Sequence, residues 1–149
     1  MSDQPAPTIR PTASTEWTIA PGNESDFRFK DLSGEHLGAR IEMLLPGESS
    51  SYHHYHTAEE EHLFMLSGQA TLVFADEETL CGTGDHIWFR AGDERAHHFV
   101  NHSEEPCTYL VFGERKEEDV VVYPEFQVMM VKALKRQQFT YRPVNRETD

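Results

Sequence analysis

From Leu37 onward, short apolar runs alternate with turn residues at close spacing. Gly38 to Leu45 is β-like and stops at Pro46-Gly47, and Tyr52 to His56 can extend as a strand. His62 to Leu66 is apolar and ends at Ser67-Gly68; Gln69 to Ala75 follows, and Asp76-Glu77-Glu78 makes an acidic turn. Thr79 to Cys81, His86 to Phe89 and Ala96 to Val100 are short candidates separated by glycine-bearing turns. Thr108 to Phe112, Val120 to Tyr123 and Phe126 to Val131 complete the set, with Glu114 to Asp119 read as a solvated loop. A short helix is expected near Lys132 to Gln138. Many short strands with Gly and Pro punctuation predict an all-β sandwich or barrel. A double-sheet jelly roll encloses a ligand cavity and suits this length.

The run from His62 to Leu66 is apolar on both faces, with Leu63 and Met65 on one and Phe64 and Leu66 on the other. A strand apolar on both faces is buried on both. A second copy of the chain is the simplest cover for the outer face, so a homodimer is expected. Residues 1–15, with Pro5, Pro7 and Pro11, read as a flexible N-terminal arm that can reach across it. Residues 16–149 read as a single domain.

Composition narrows the function classes. The 149 residues carry a formal charge of −13. So acidic a chain has no cations to spare for a nucleic-acid backbone and is repelled by an anionic membrane surface. No apolar stretch approaches a spanning helix, and MSDQPAPTIRPTAS lacks the charge and apolar pattern of a signal peptide. Two cysteines, Cys81 and Cys107, make no disulfide framework, which suits a reducing cytoplasm.

Eight of the nine histidines lie between His53 and His102. His54 and His56 are two residues apart, so a strand presents both imidazoles on one face. If a strand resumes at Glu61, its carboxylate can point back at them. Glu59 and Glu60 read as a solvated turn, though either can replace Glu61 if the register slips. His97, at the start of the next strand after Ala91-Gly92, can supply a third imidazole. Three imidazoles and a carboxylate bind a divalent transition metal and leave octahedral positions open for substrate.

These residues carry a family resemblance. Gly47, His54-Tyr55-His56, Glu61 and Gly68 resemble the first cupin motif. Gly84, Arg90-Ala91-Gly92, His97 and Asn101 resemble the second, with Arg90 where the family usually has proline and a longer step from glycine to histidine. His53 would suit the first gap better than His54 but has Tyr55, not histidine, two residues on. The resemblance implies a double-stranded β-helix barrel, a jelly roll, with His54, His56, Glu61 and His97 as metal ligands. Manganese, iron, nickel and zinc all accept such a set. It also implies a small-molecule substrate and isomerase, dioxygenase or decarboxylase chemistry. A non-catalytic binding protein is the alternative, and a metal-free dimeric scaffold the third reading.

Other residues read more plainly. His53, His62, His86, His98 and His102 are expected in structural roles, and Asn101 in a turn. Tyr52, Tyr55 and His98 are weak candidates for a general base. Arg40, Arg90 and Arg115 can each hold a substrate carboxylate bidentately, though a surface ion pair is the commoner role. Lys132, Lys135, Arg136, Arg142 and Arg146 are expected to balance the protein's own acidity.

Overall fold

The computed structural model describes residues 5–144. Thirteen strands follow one another: β1 (Thr18–Pro21), β2 (Asp26–Asp31), β3 (Leu37–Leu44), β4 (Tyr55–His56), β5 (Glu61–Ser67), β6 (Gln69–Phe74), β7 (Glu77–Gly82), β8 (His86–Phe89), β9 (His97–Val100), β10 (Cys107–Glu114), β11 (Val120–Tyr123), β12 (Val128–Val131) and β13 (Gln137–Thr140). Helical structure among the described residues is limited to two short 3-10 turns, Pro124–Phe126 and Lys132–Leu134. The fold is all-β, as the spacing of apolar runs indicates.

One wall is a six-stranded antiparallel sheet in the order β1-β2-β3-β10-β5-β8. The other combines β13-β12-β11-β4 with β7-β6-β9. A single bridge between His54 and His97 joins these two parts. The His54 N–H donates to the His97 carbonyl at 3.3 Å, and the His97 N–H returns the bond at 2.9 Å. The inner faces share a core of Phe27, Leu44, Leu63, Met65, Phe99 and Tyr109, among others. Burying these apolar side chains is the main force closing the two walls.

Two glycines permit close passages. Gly68 has φ +70° between β5 and β6, and a Cβ there would lie 2.7 Å from the Pro106 carbonyl. Gly113 pairs with Glu61 across β10 and β5. A Cβ on it would run into the Glu60 carbonyl.

β1 and β2 precede Leu37, where the alternation of Phe27 and Phe29 with Arg28 and Lys30 is a strand pattern. Several expectations are corrected. The expected helix near Lys132 to Gln138 is a three-residue 3-10 turn followed by β13. Lys135 and Arg136 adopt φ 55° and 60°, which ends any helix, and β13 finds a partner edge on β12. The acidic stretch closing at Asp119 is not wholly solvated, because Asp119 is fully buried. The turn after β6 is Ala75-Asp76 rather than Asp76-Glu77-Glu78, and Glu77 and Glu78 already belong to β7.

Residues 1–4 of the expected arm, and Arg146, lie outside the described residues. The rest of the arm is fastened to β2 of its own chain. The Lys30 ammonium donates to the Thr12 carbonyl at 2.6 Å and sits 4.4 Å from the Trp17 ring centroid. On the outer face of β5 and β8, Phe64, Leu66 and Trp88 remain 39, 42 and 46% exposed.

Candidate metal centre

The bridge that joins the second wall also assembles the site. β4 and β9 meet there, so His54 and His97 lie side by side with ring centroids 4.8 Å apart. His56 follows on the same face as His54, at a centroid distance of 5.2 Å. Opposite them, β5 turns Glu61, Leu63 and Met65 inward in one row, the period of two of a strand. Leu63 and Met65 fill the core, and Glu61 stands at the rim facing the imidazoles.

The distances converge. Glu61 lies 3.4 Å from His56 Nε2 and 3.0 Å from His97 Nε2. Donor atoms of His54, His56 and Glu61 all fall within 4.8 Å of one another. The other nitrogens of the first two rings are already engaged. His54 Nδ1 is 2.6 Å from the Tyr52 carbonyl, and His56 Nδ1 is 2.8 Å from an Asp119 carboxylate oxygen. A proton on each Nδ1 leaves Nε2 with its lone pair aimed into the site, as a ligating histidine requires. The His97 ring stacks on Phe89 with centroids 3.6 Å apart and planes 5° from parallel. The donor chemistry therefore suits a divalent transition metal.

The electrostatics follow from burial and pairing. Burial, with His97 adding to it, lowers the His54 pKa to about 3, so this imidazole is neutral. Burial also works against a charged His56, but the carboxylates of Asp119 and Glu61 override it and raise its pKa to about 9. Burial favours a neutral Glu61, yet hydrogen bonds from His56 and His97 hold its pKa well below the usual carboxylate range. The His56 proton that faces Glu61 thus occupies a position that a dication would take.

Three supporting residues were not legible in the chain. Asp119 accepts from the Ala58 and Glu59 backbone N–H groups at 2.9 and 3.2 Å, besides holding His56. Glu59 is buried and not a solvated turn residue; it accepts from the Lys116 N–H at 2.7 Å and the Lys132 ammonium at 2.5 Å. Lys132, expected only to balance charge, also lies 3.3 Å from Asp119. His56, Glu59 and Asp119 form a second group with metal-binding donors. The Lys132 ammonium and the charged His56 ring balance its two carboxylates, so that group reads as the support of His56. Asp119 and Lys132, one at each end of the valine-rich stretch of β11 and β12, were the available signals.

Asn101 is fully buried and binds the Leu44 and Glu105 carbonyls at 3.0 and 2.8 Å, a turn role as expected. Glu60 accepts from Trp88 Nε1 at 3.2 Å and faces His62, so it too departs from a free turn. The weak base candidates lie away from the main cavity. His98 faces His53, with their Nδ1 atoms 2.8 Å apart. Tyr52 packs edge-on against Tyr123 and Phe126. Tyr55 lines a smaller pocket of about 220 Å³ beside Trp88 and Arg90.

The site opens into a cavity of about 390 Å³ between the walls, which His54, His56, Glu61, His97, Arg40 and Glu42 help to line. That volume suits a small molecule. Among the described residues, no helix is long and apolar enough to cross a membrane.

Comparison with known proteins agrees with this architecture. The family model described as Cupin domain matches residues 40–113. A proposed sugar phosphate isomerase from Acidithiobacillus ferrooxidans is 26% identical over 84% of each chain, with a TM-score of 0.75. A sugar phosphate isomerase of the cupin superfamily from Silicibacter pomeroyi is 28% identical over 83% of this chain and 85% of that one, with a TM-score of 0.72. A predicted oxalate decarboxylase from Thermotoga maritima is similar in fold alone, at 14% identity and a TM-score of 0.64 over 73% of this chain and all of the other. No curated protein matches. The motif glycines and histidines, the two antiparallel walls and the span of the family match lead to one assignment: this chain belongs to the cupin superfamily.

Proposed function

We propose that this cupin is a metal-dependent enzyme acting on a small polar molecule, with His54, His56, Glu61 and His97 as the ligands. The observation that carries the reading is the convergence of His54, His56 and Glu61 donor atoms within 4.8 Å at the edge of the cavity. A divalent ion held there supplies Lewis-acid polarisation of a carbonyl or hydroxyl oxygen. The chain's own residues do the rest. Tyr52 and Asp119 orient the His54 and His56 rings, and Phe89 fixes the His97 plane. Isomerase chemistry is favoured over oxygenase or decarboxylase chemistry because the Acidithiobacillus and Silicibacter proteins are both described as sugar phosphate isomerases. The metal is manganese, iron, nickel or zinc on ligand chemistry.

A cytoplasmic location accords with two free, buried cysteines. A homodimer accords with the exposed Phe64, Leu66 and Trp88 on the outer face. We read residues 16–149 as the functional domain.

The test is the metal content of untagged, natively purified protein by mass spectrometry, with His56→Ala and Glu61→Ala alongside. About one equivalent in the unmodified chain, lost in both variants with the fold intact, is expected. Full metal content in the double variant would show that the ligands lie elsewhere.

A further inference from the structure

Three inner rows cross β5, β10 and β3 side by side. Glu61 pairs with Gly113 and that with Gly38; Leu63 with Val111 and that with Arg40; Met65 with Tyr109 and that with Glu42. In the first row Glu61 faces two residues without side chains. Glu61 and Arg40 line the same cavity from strands two apart, about 10 Å at the ordinary interstrand spacing. Arg40 stands one row deeper.

Arg40 is paired with Glu42 through its inner nitrogen. Its Nε lies 2.7 Å from Glu42 Oε1. The other Glu42 oxygen accepts from the Tyr109 hydroxyl at 2.7 Å, and both of these partners are buried. Phe27 and Phe29 flank the guanidinium, with ring centroids 5.6 and 5.2 Å from its carbon. Among the described residues, no hydrogen bond engages its two terminal nitrogens. An arginine clamped at Nε, braced by two rings and left free at its fork is organised before a ligand arrives.

The other two arginines weighed for this role are placed differently. The Arg90 guanidinium lies 4.0 Å over the Trp88 ring, beside the smaller pocket. Arg115 lines the main cavity but donates a terminal nitrogen to the Gly34 carbonyl at 3.3 Å.

We propose that Arg40 binds the carboxylate of the substrate through its free fork, while an oxygen at the other end of the same short molecule reaches the metal centre. The planar fork fits a carboxylate with two parallel hydrogen bonds. The buried Glu42 carboxylate beside Arg40 disfavours a dianionic phosphate over a singly charged group at this fork. The substrate class is a short-chain 2-hydroxy or 2-oxo carboxylate, or a sugar acid of similar reach. This deepens the metal-dependent reading given above and rests on it for the second anchor.

Calorimetric titration tests it. Zinc uptake by the unmodified chain is measured first. The zinc-loaded and metal-free proteins are then titrated with a panel of short-chain 2-hydroxy and 2-oxo carboxylates and, separately, with inorganic phosphate. Carboxylate binding is expected to weaken by about tenfold or more in Arg40→Gln, in both metal states. Zinc affinity is expected to stay unchanged. Arg40→Lys keeps the charge without the fork and should also bind weakly; a thermal melt of each variant shows that it folds. Equal carboxylate affinity in Arg40→Gln overturns the assignment, as does phosphate binding without carboxylate binding. Failure to bind any panel member overturns it too. Absent zinc uptake would sink the metal centre alone, because the Arg40 dependence is read again on metal-free protein.

Discussion

Replacing Asp119 with asparagine changes one oxygen for a nitrogen at a fully buried position. The carbonyl oxygen can still accept from the Ala58 and Glu59 N–H groups, so the turn after His56 keeps its bonds. The amide nitrogen then faces His56 Nδ1 and the Lys132 ammonium, which lay 2.8 and 3.3 Å from the carboxylate. An NH2 group beside Nδ1 favours the tautomer with its proton on Nε2, the atom aimed into the site. Losing a charge-assisted hydrogen bond costs about 1.5–3 kcal/mol. Lys132 keeps Glu59 at 2.5 Å, so the cost should fall toward the lower end of that range. Metal affinity should fall roughly tenfold to a hundredfold, the usual effect of removing the partner of a ligating histidine. Zinc titration by calorimetry reads the affinity, and a urea melt of the metal-free protein reads the stability. Asp119→Asn binding zinc as tightly as the unmodified chain would refute the role assigned to Asp119.

Tyr109→Phe removes one of the two donors to Glu42. Burial raises the Glu42 pKa, with Arg40 and Tyr109 opposing it, so the cost of the ionised form is felt above that raised value and shrinks as pH falls through it. The stability lost in Tyr109→Phe, about 1.5–3 kcal/mol for a bond to a charged group, should therefore be largest near neutral pH and smaller in mild acid; urea melts at both pH values check the sign. Gly113→Ala forces a Cβ against the Glu60 carbonyl and should cost about 1–3 kcal/mol, as overpacking does, with a matching drop in zinc affinity because Glu61 pairs with that glycine. Phe89→Ala strips the ring stacked on His97 and should cost about 3–5 kcal/mol, read by thermal denaturation. Light scattering at micromolar concentration should give twice the chain mass, and Trp88→Glu should reduce it; a monomer in the unmodified chain would remove the dimer.

Much of this protein follows from local pattern. The short apolar runs between glycine-bearing turns carry the all-β class, because strand period and turn chemistry are properties of neighbouring residues. Placing His54 and His56 on one face needs only the alternation of a strand. What depends on distant residues had to come from the fold. Asp119, Glu59 and Lys132 meet His56 only because β11 lies beside β4, a pairing set by the closure of the second wall. β3 makes the reason plain. Its alternation puts Ile41 and Met43 on one face and Arg40 and Glu42 on the other, and a solvent-exposed sheet would turn the charged face outward. Here Glu42 is buried and Arg40 lines the cavity. A two-walled barrel has an interior polar enough to hold charge once ion pairs and hydrogen bonds satisfy it. Sequence alternation determines which residues share a face; only the tertiary structure decides which face encloses the site.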